Sequence, residues 1–388
     1  MPAAPEPLDL SLPPLVDHHC HGLLRGPLDR AAFEAHLTEA ARPAGPGTTY
    51  FDTQAGFAVR RWCAPELDLP AHCAPEEYLA RRAELGPGEV RRRLLAATGI
   101  ATFLVDTGLP GDLTGPQETA SSGGPVHSAD PGPGGQEAAV GREIVRLETL
   151  AERLTARATD PAELLERIGR AVTEAAGAAA GFKSVAAYRH GLALAATPPE
   201  SARTLRAARA WLAAGGGRLT DPVLLRHLLW LAVRTGRPLQ LHTGLGDPDL
   251  RIDHADPALL TDFARATADT GTPLVLLHCY PYHRQAAYLA SVFPHVHADV
   301  GLALTHTGPR AAAVLAEFLE LAPFGKLLFS TDAYALPEHY LLGSRLFRRA
   351  LAQVLTQWVD DGAWSAADAR RVAAMVAAGN ARRVYGTA

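Results

Sequence analysis

The run Val16-Asp17-His18-His19-Cys20-His21 places two imidazoles two residues apart at the end of a short apolar stretch. Alternate side chains of an extended strand share a face, so His19 and His21 point together while His18 and Cys20 point the other way. That is a two-nitrogen clamp for a cation. Neutral imidazole suits zinc and other first-row divalent ions, and a catalytic site takes about three protein ligands, with one position left open for water. Further ligands stand at the ends of other apolar runs: His242 closes Pro238-Leu239-Gln240-Leu241, His278 closes Leu274-Val275-Leu276-Leu277, and Asp332 follows Leu327-Leu328-Phe329-Ser330-Thr331. An aspartate there can bind a metal and also take a proton from water. Lys183 sits in the apolar run Gly181-Phe182-Lys183-Ser184, where an unpaired ammonium is costly to bury, so it needs a partner or a modification. A single strand histidine is more often a satisfied core residue than a ligand. The conjunction of these positions is what points to a metal. His72, His127, His190, His227, His254, His295, His306 and His339 take the surface or structural reading, and His283, directly after the sixth run, is left open.

The elements that must carry these side chains read as eight short strands: Leu15 to His21, Gly99 to Asp106, Glu143 to Glu148, Gly181 to Ala187, Pro238 to Thr243, Pro273 to Cys279, His297 to Leu302 and Lys326 to Thr331. Several are continuously apolar, as suits a parallel sheet buried on both faces. Helical patterns separate them. Asp221-Pro222 and Asp256-Pro257 each precede leucine-rich amphipathic segments as N-terminal caps would. Strands alternating with helices, and chemistry at strand ends throughout the chain, predict a (β/α)8 TIM barrel with its site at the carboxyl ends of the strands. A doubly wound open sheet is the competitor. The excess over the ~250 residues of a simple barrel goes into insertions. Residues 28–97, after the first strand, read as a helical insertion within a single domain spanning 1–388, and the Gly-, Pro- and Ser-rich stretch 110–135, after the second, as a flexible loop with a lid as its functional reading. The Ala-rich segment from Ser365 to Tyr385 reads as a closing helix.

The totals exclude several classes of function. With 388 residues and 47% hydrophobic content the chain can bury a large core. A net charge of -4 and a pI near 6.5 leave no electrostatic footprint for nucleic acid or an anionic membrane. A small-molecule substrate is expected. No apolar stretch reaches the ~20 residues of a membrane span, and Met1 to Glu6 lacks the pattern of a secretory signal, so a cytoplasmic location is expected. Four cysteines, Cys20, Cys63, Cys73 and Cys279, with no C-x-x-C pair, supply neither a disulfide framework nor a closed structural zinc site.

Asp17-His18-His19-Cys20-His21, His242-Thr243-Gly244, His278-Cys279-Tyr280-Pro281 and Ser330-Thr331-Asp332 resemble the metal signature of the amidohydrolase superfamily. The runs Phe182 to Arg189, His242 to Asp247 and Ser330 to Tyr334 resemble a narrower branch, amidohydrolase domains found alone or fused to glutamine-synthetase-like domains in nodulin-related and fungal developmental proteins. The resemblance runs from Val16 to Tyr385 and is weak in the insertion. It implies a barrel binding one or two divalent metals, usually zinc. In the two-metal form a carboxylated Lys183 bridges the ions, with His19, His21 and Asp332 on one and His242 and His278 on the other. In the one-metal form, which many relatives use, His19, His21, His242 and Asp332 bind the ion and His278 orients water or polarises the substrate.

Metal-activated water would then attack an amide-type C–N bond, with Asp332 as base and later proton donor to the leaving nitrogen. Arg189 could clamp a carboxylate, Glu148 could receive an amine, and Tyr188 lies beside them, which would suit an amino-acid-like or γ-glutamyl substrate. Structural ion pairs explain Arg189 and Glu148 equally well. Asp106, Arg310 and Glu338 are weaker candidates of the same kind. Two alternatives remain open: nonoxidative decarboxylation by the same metal constellation, and a noncatalytic ligand-binding barrel. A homodimer is expected by analogy alone.

Overall fold

The computed structural model describes residues 8–126 and 137–387. Part of the predicted 110–135 loop and the N-terminal Met1 to Glu6 therefore lie outside the described residues. Eight strands pair in chain order: β1 Leu15–Cys20, β2 Ile100–Asp106, β3 Val140–Arg146, β4 Gly181–Ser184, β5 Leu239–Thr243, β6 Leu274–His278, β7 Val296–Asp299 and β8 Leu327–Leu328. Every neighbouring pair is parallel. The last strand returns to the first through main-chain bonds, from His18 N to Phe329 O at 3.2 Å and from Asp332 N to His19 O at 3.0 Å. That seam closes the sheet into the expected barrel. β1, β4, β5 and β6 are buried along their whole length, because helices cover the outside and side chains fill the inside.

Local chemistry accounts for the turns. Asp221 accepts hydrogen bonds from the backbone of Val223 and Leu224 and starts the helix Pro222–Arg234, while Asp256 caps a 3-10 turn, Pro257–Leu260, that runs into Thr261–Thr267. The segment after β1 is helical as predicted: Arg30–Ala35, Gln54–Ala58 and Pro75–Ala96, the last broken at Gly86, with φ +74, before Pro87. It is anchored to the helix Pro337–Asp360 by a buried ion pair, Arg82 to Glu338 at 2.8 Å, with Tyr78 donating to the same carboxylate at 2.9 Å.

Several predicted strand bounds are corrected, and β8 is only Leu327–Leu328 of the predicted Lys326 to Thr331. β3 begins at Val140, ahead of Glu143, and Leu147 and Glu148 already belong to the helix Leu147–Thr155. β4 stops at Ser184, because Glu148 accepts from both Ser184 Oγ and Val185 N and turns the chain into the short helix Ala186–Arg189. β7 stops at Asp299, whose carboxylate accepts from Gly301 N and begins the helix Gly301–Thr307. Within the predicted flexible loop, Pro116–Ser121 is a helical turn with Thr119 buried. No described helix is long and apolar enough to cross a membrane.

Candidate metal centre

A cavity of about 1070 Å³ opens where the strands end. Its floor holds His21 from just beyond β1, Lys183 from β4, His242 from β5, His278 from β6 and Asp332 from the segment after β8. The β5 and β6 histidines are neighbours because Thr243 pairs with His278 in register, and their rings stand 4.5 Å apart. His19 and His21 share a face as strand alternation requires, with ring centroids 5.0 Å apart.

Asp332 is the common centre. Its Oδ1 lies 3.1 Å from His19 Nε2 and 3.3 Å from His21 Nε2, and its Oδ2 lies 3.5 Å from His278 Nδ1. The opposite nitrogen of each β1 imidazole is already engaged: His19 Nδ1 meets Gln240 Oε1 at 2.8 Å, and His21 Nδ1 donates to the Asp106 carbonyl at 3.2 Å. Both Nε2 atoms are thus left as lone pairs facing the carboxylate. Buried at the same place without hydrogen-bond partners are His242 Nε2, His278 Nδ1 and Asp332 Oδ1. Converging unpaired acceptors are costly unless a cation lies among them, so the residues present fit a divalent metal. His19, His278 and Asp332 offer ligand atoms all within 4.8 Å of one another, as do His19, His21 and Asp106. His242 belongs to neither triplet.

The ionisation states suit ligation. Burial pushes His19 down to about 3, helped by the Lys183 charge, and burial lowers His242 and His278 as well, so all three rings are neutral near pH 7. Burial raises the Asp332 carboxyl, but His278, His19 and His21 more than reverse this and hold it well below the usual carboxylate range. Lys183 Nζ stands 3.2 Å from His19 Nε2, and burial brings it down to about 8 against the pull of Asp106 and Asp332.

Of the residues predicted to hold substrate, Tyr188 lines the cavity and packs against His242 with ring centroids 4.5 Å apart. Arg189 also lines it, but its guanidinium pairs with Glu152 at 2.8 Å. Glu148 is fully buried, bonded to Ser184 and Val185, and is not part of the lining. Asp106 pairs with Arg146 at 2.6 Å, Glu338 with Arg82, and Arg310 lines a separate, smaller cavity beside His283, whose ring is bonded to Glu317 at 2.7 Å.

Sequence reading missed His36 and Glu39 from the insertion, and it gave His306 and His339 a structural role although both line the cavity. Gln240 was also missed. Its signal was available: a polar residue in an apolar strand, two positions before His242 and therefore on the same face.

Two glycines shape the wall after β5. Gly244, at φ +70, approaches the Tyr280 carbonyl so closely that a Cβ would lie 2.4 Å from its oxygen. At Gly246 a Cβ would lie 2.1 Å from Tyr188 Oη and 3.2 Å from His242 Nε2.

The amidohydrolase family model, Amidohydro_2, matches residues 131–387, a span that includes His242, His278 and Asp332. The chain belongs to the amidohydrolase family. A solved structure from Lactobacillus casei, described as a metal-dependent hydrolase, is similar to this amidohydrolase at 30% identity and a TM-score of 0.80, covering 97% of this chain and 96% of that one. The protein fluG of Emericella nidulans is 35% identical over 223 residues, which is 54% of this chain and 26% of fluG, so the match spans about a quarter of that relative. Uronate isomerase from Thermotoga maritima shares the barrel at 14% identity, TM-score 0.60, covering 96% of this chain and 94% of that one.

Proposed function

We propose that this amidohydrolase cleaves an amide-type C–N bond of a small amino-acid-like or γ-glutamyl substrate, with a divalent metal, zinc by preference, as cofactor. The observation that carries the reading is the set of buried, partnerless ligand atoms on His242, His278 and Asp332 at the floor of a cavity large enough for such a substrate. In the single-ion form His19, His21, His242 and Asp332 would hold the metal and leave His278 free; in the two-ion form His19, His21 and Asp332 would hold one ion and His242 and His278 the other, with a carboxylated Lys183 between them. When bound, the metal supplies Lewis acidity and makes water a nucleophile near neutral pH.

The chain's own residues do the rest. Asp332, held well below the usual carboxylate range, takes the proton from the attacking water and returns it to the leaving nitrogen. His278 stands beside it to stabilise the developing oxyanion. Tyr188 covers His242 and bounds the substrate space, and the Arg189–Glu152 pair in the wall presents charge of both signs to a zwitterionic substrate. The four cysteines are free and buried, in keeping with a cytoplasmic location.

The test has two parts. Metal content is measured per chain, a value near one supporting the single-ion form and near two the bridged form. The zinc-loaded protein is then screened against γ-glutamyl amides and N-acyl amino acids. Amine release supports the reading. Carbon dioxide release without amine, or inactivity across the screen, overturns it.

A further inference from the structure

Four buried polar residues that do not line the cavity, Gln240, Tyr385, His18 and Asp299, form one connected set leading to two of the candidate ligands. Gln240 Nε2 donates to the His18 carbonyl at 2.8 Å and to Tyr385 Oη at 2.9 Å. A carbonyl oxygen only accepts, so the first contact fixes which end of the amide carries hydrogen. Gln240 Oε1 therefore faces His19 Nδ1, 2.8 Å away, and that nitrogen must be protonated. The His19 lone pair is thereby confined to Nε2, on the side of Asp332.

The other end of the set terminates on Asp299. Its carboxylate accepts from His18 Nε2 at 2.6 Å, the backbone N of His278 at 2.9 Å, Gly301 N at 3.1 Å and Ser330 Oγ at 3.0 Å. His18 Nε2 is therefore a donor, and its Nδ1, 3.1 Å from Tyr385 Oη, is the acceptor for the tyrosine hydroxyl. Every hydrogen in the series has one direction: His19 to Gln240, Gln240 to Tyr385, Tyr385 to His18, His18 to Asp299. The contact to His278 N holds that residue at φ +66, a conformation that non-glycine residues rarely adopt.

We propose that Gln240 and Tyr385 are positioning residues for the metal site, holding His19 in one tautomer and one orientation, while Asp299 anchors the backbone of His278. This rests on the metal reading above. Tyr385 comes from the helix Asn380–Tyr385, so that helix is part of the site although it contributes nothing to the cavity wall. A polar set that served packing alone would have no need to end on two histidines whose ligand atoms meet Asp332. Hydrogen-bond partners of ligand imidazoles typically alter metal affinity about 10- to 100-fold when removed.

The experiment uses the full chain. Nitrogen-15 NMR of histidine in the metal-free wild type reads the His19 tautomer directly: an Nδ1–H ring is expected, and an Nε2–H ring overturns the proposal without any variant. Zinc dissociation constants are then measured by chelator competition for wild type, Y385F and Q240M, alongside thermal melts of the metal-free forms. Weakening of at least about tenfold in both variants is the expected result. A lowered melting temperature with the dissociation constant unchanged within about twofold is the signature of packing alone, and sinks the proposal while leaving the metal reading intact. Wild type that takes up no divalent ion sinks both.

Discussion

Replacing Gly246 with alanine puts a methyl group where the structure has no room for one. The new Cβ would stand 2.1 Å from Tyr188 Oη and 2.9 Å from Tyr188 Cζ, so about 1.3 Å must be opened to reach an ordinary 3.4 Å contact. Tyr188 can swing away, losing its packing on His242, an aromatic contact worth about 0.5–1.5 kcal/mol. Otherwise the loop must move outward, with the ~1–3 kcal/mol cost typical of overpacking. Either way the fold survives and the wall over His242 does not keep its place. A displacement near 1 Å beside the reacting groups costs on the order of 10²-fold in rate. The expected outcome for G246A is thus a loss of ~1–3 kcal/mol in urea unfolding and of about 10²-fold in kcat/KM. Removing the obstacle with Y188A should make the stability losses non-additive, the double variant losing at least ~0.5 kcal/mol less than the sum of the singles. Additive losses, or G246A with kcat/KM within about twofold of wild type, would refute the steric argument.

D332N should fold normally and lose about 10²- to 10⁴-fold in turnover, because the group that exchanges protons with water and leaving nitrogen can no longer ionise; steady-state kinetics with near-normal kcat would exclude Asp332 as the base. R82M leaves the buried Glu338 carboxylate without its cation and should destabilise the protein by about 3–5 kcal/mol in urea melts, whereas R82M/E338Q should recover part of that loss. Burial raises the Asp17 carboxyl from 3.8 to about 8 despite two hydrogen bonds from Thr331. The folded state therefore keeps a proton that the unfolded chain releases, and stability should fall as pH rises from about 4 to about 8. Urea melts across that range should show a flatter profile for D17N, and equal slopes would contradict the assignment.

The barrel and the floor of its cavity were legible because their signals are local. Strand alternation alone pairs His19 with His21, and an apolar run that ends in histidine marks His242 and His278 without knowledge of any partner. What escaped depends on distance or on a single turn of helix. Val140-Gly141-Arg142-Glu143 is half exposed and lacks an apolar run, so the start of β3 was hidden. Leu147 and Glu148 looked like its end, yet the chain had already turned helical, which sends Glu148 into the core and leaves Glu152, one turn later, to meet Arg189. His36 and Glu39 reach the cavity only because the insertion folds over the barrel mouth. The link from Gln240 to Tyr385 spans 145 positions and has no periodicity to announce it.

The seam between β1 and the segment after β8 has a thermodynamic consequence. His19 and Asp332 face each other across it, held by the bond from Asp332 N to His19 O, so a ligand gripping both side chains staples the first and last strands together. The loop so closed holds about 300 residues, and the entropy removed from the unfolded chain grows with the logarithm of loop length. With an ion bound there, occupancy of the centre and integrity of the cylinder would become one equilibrium, in which stripping the ion loosens the whole barrel and opening the barrel scatters the binding groups.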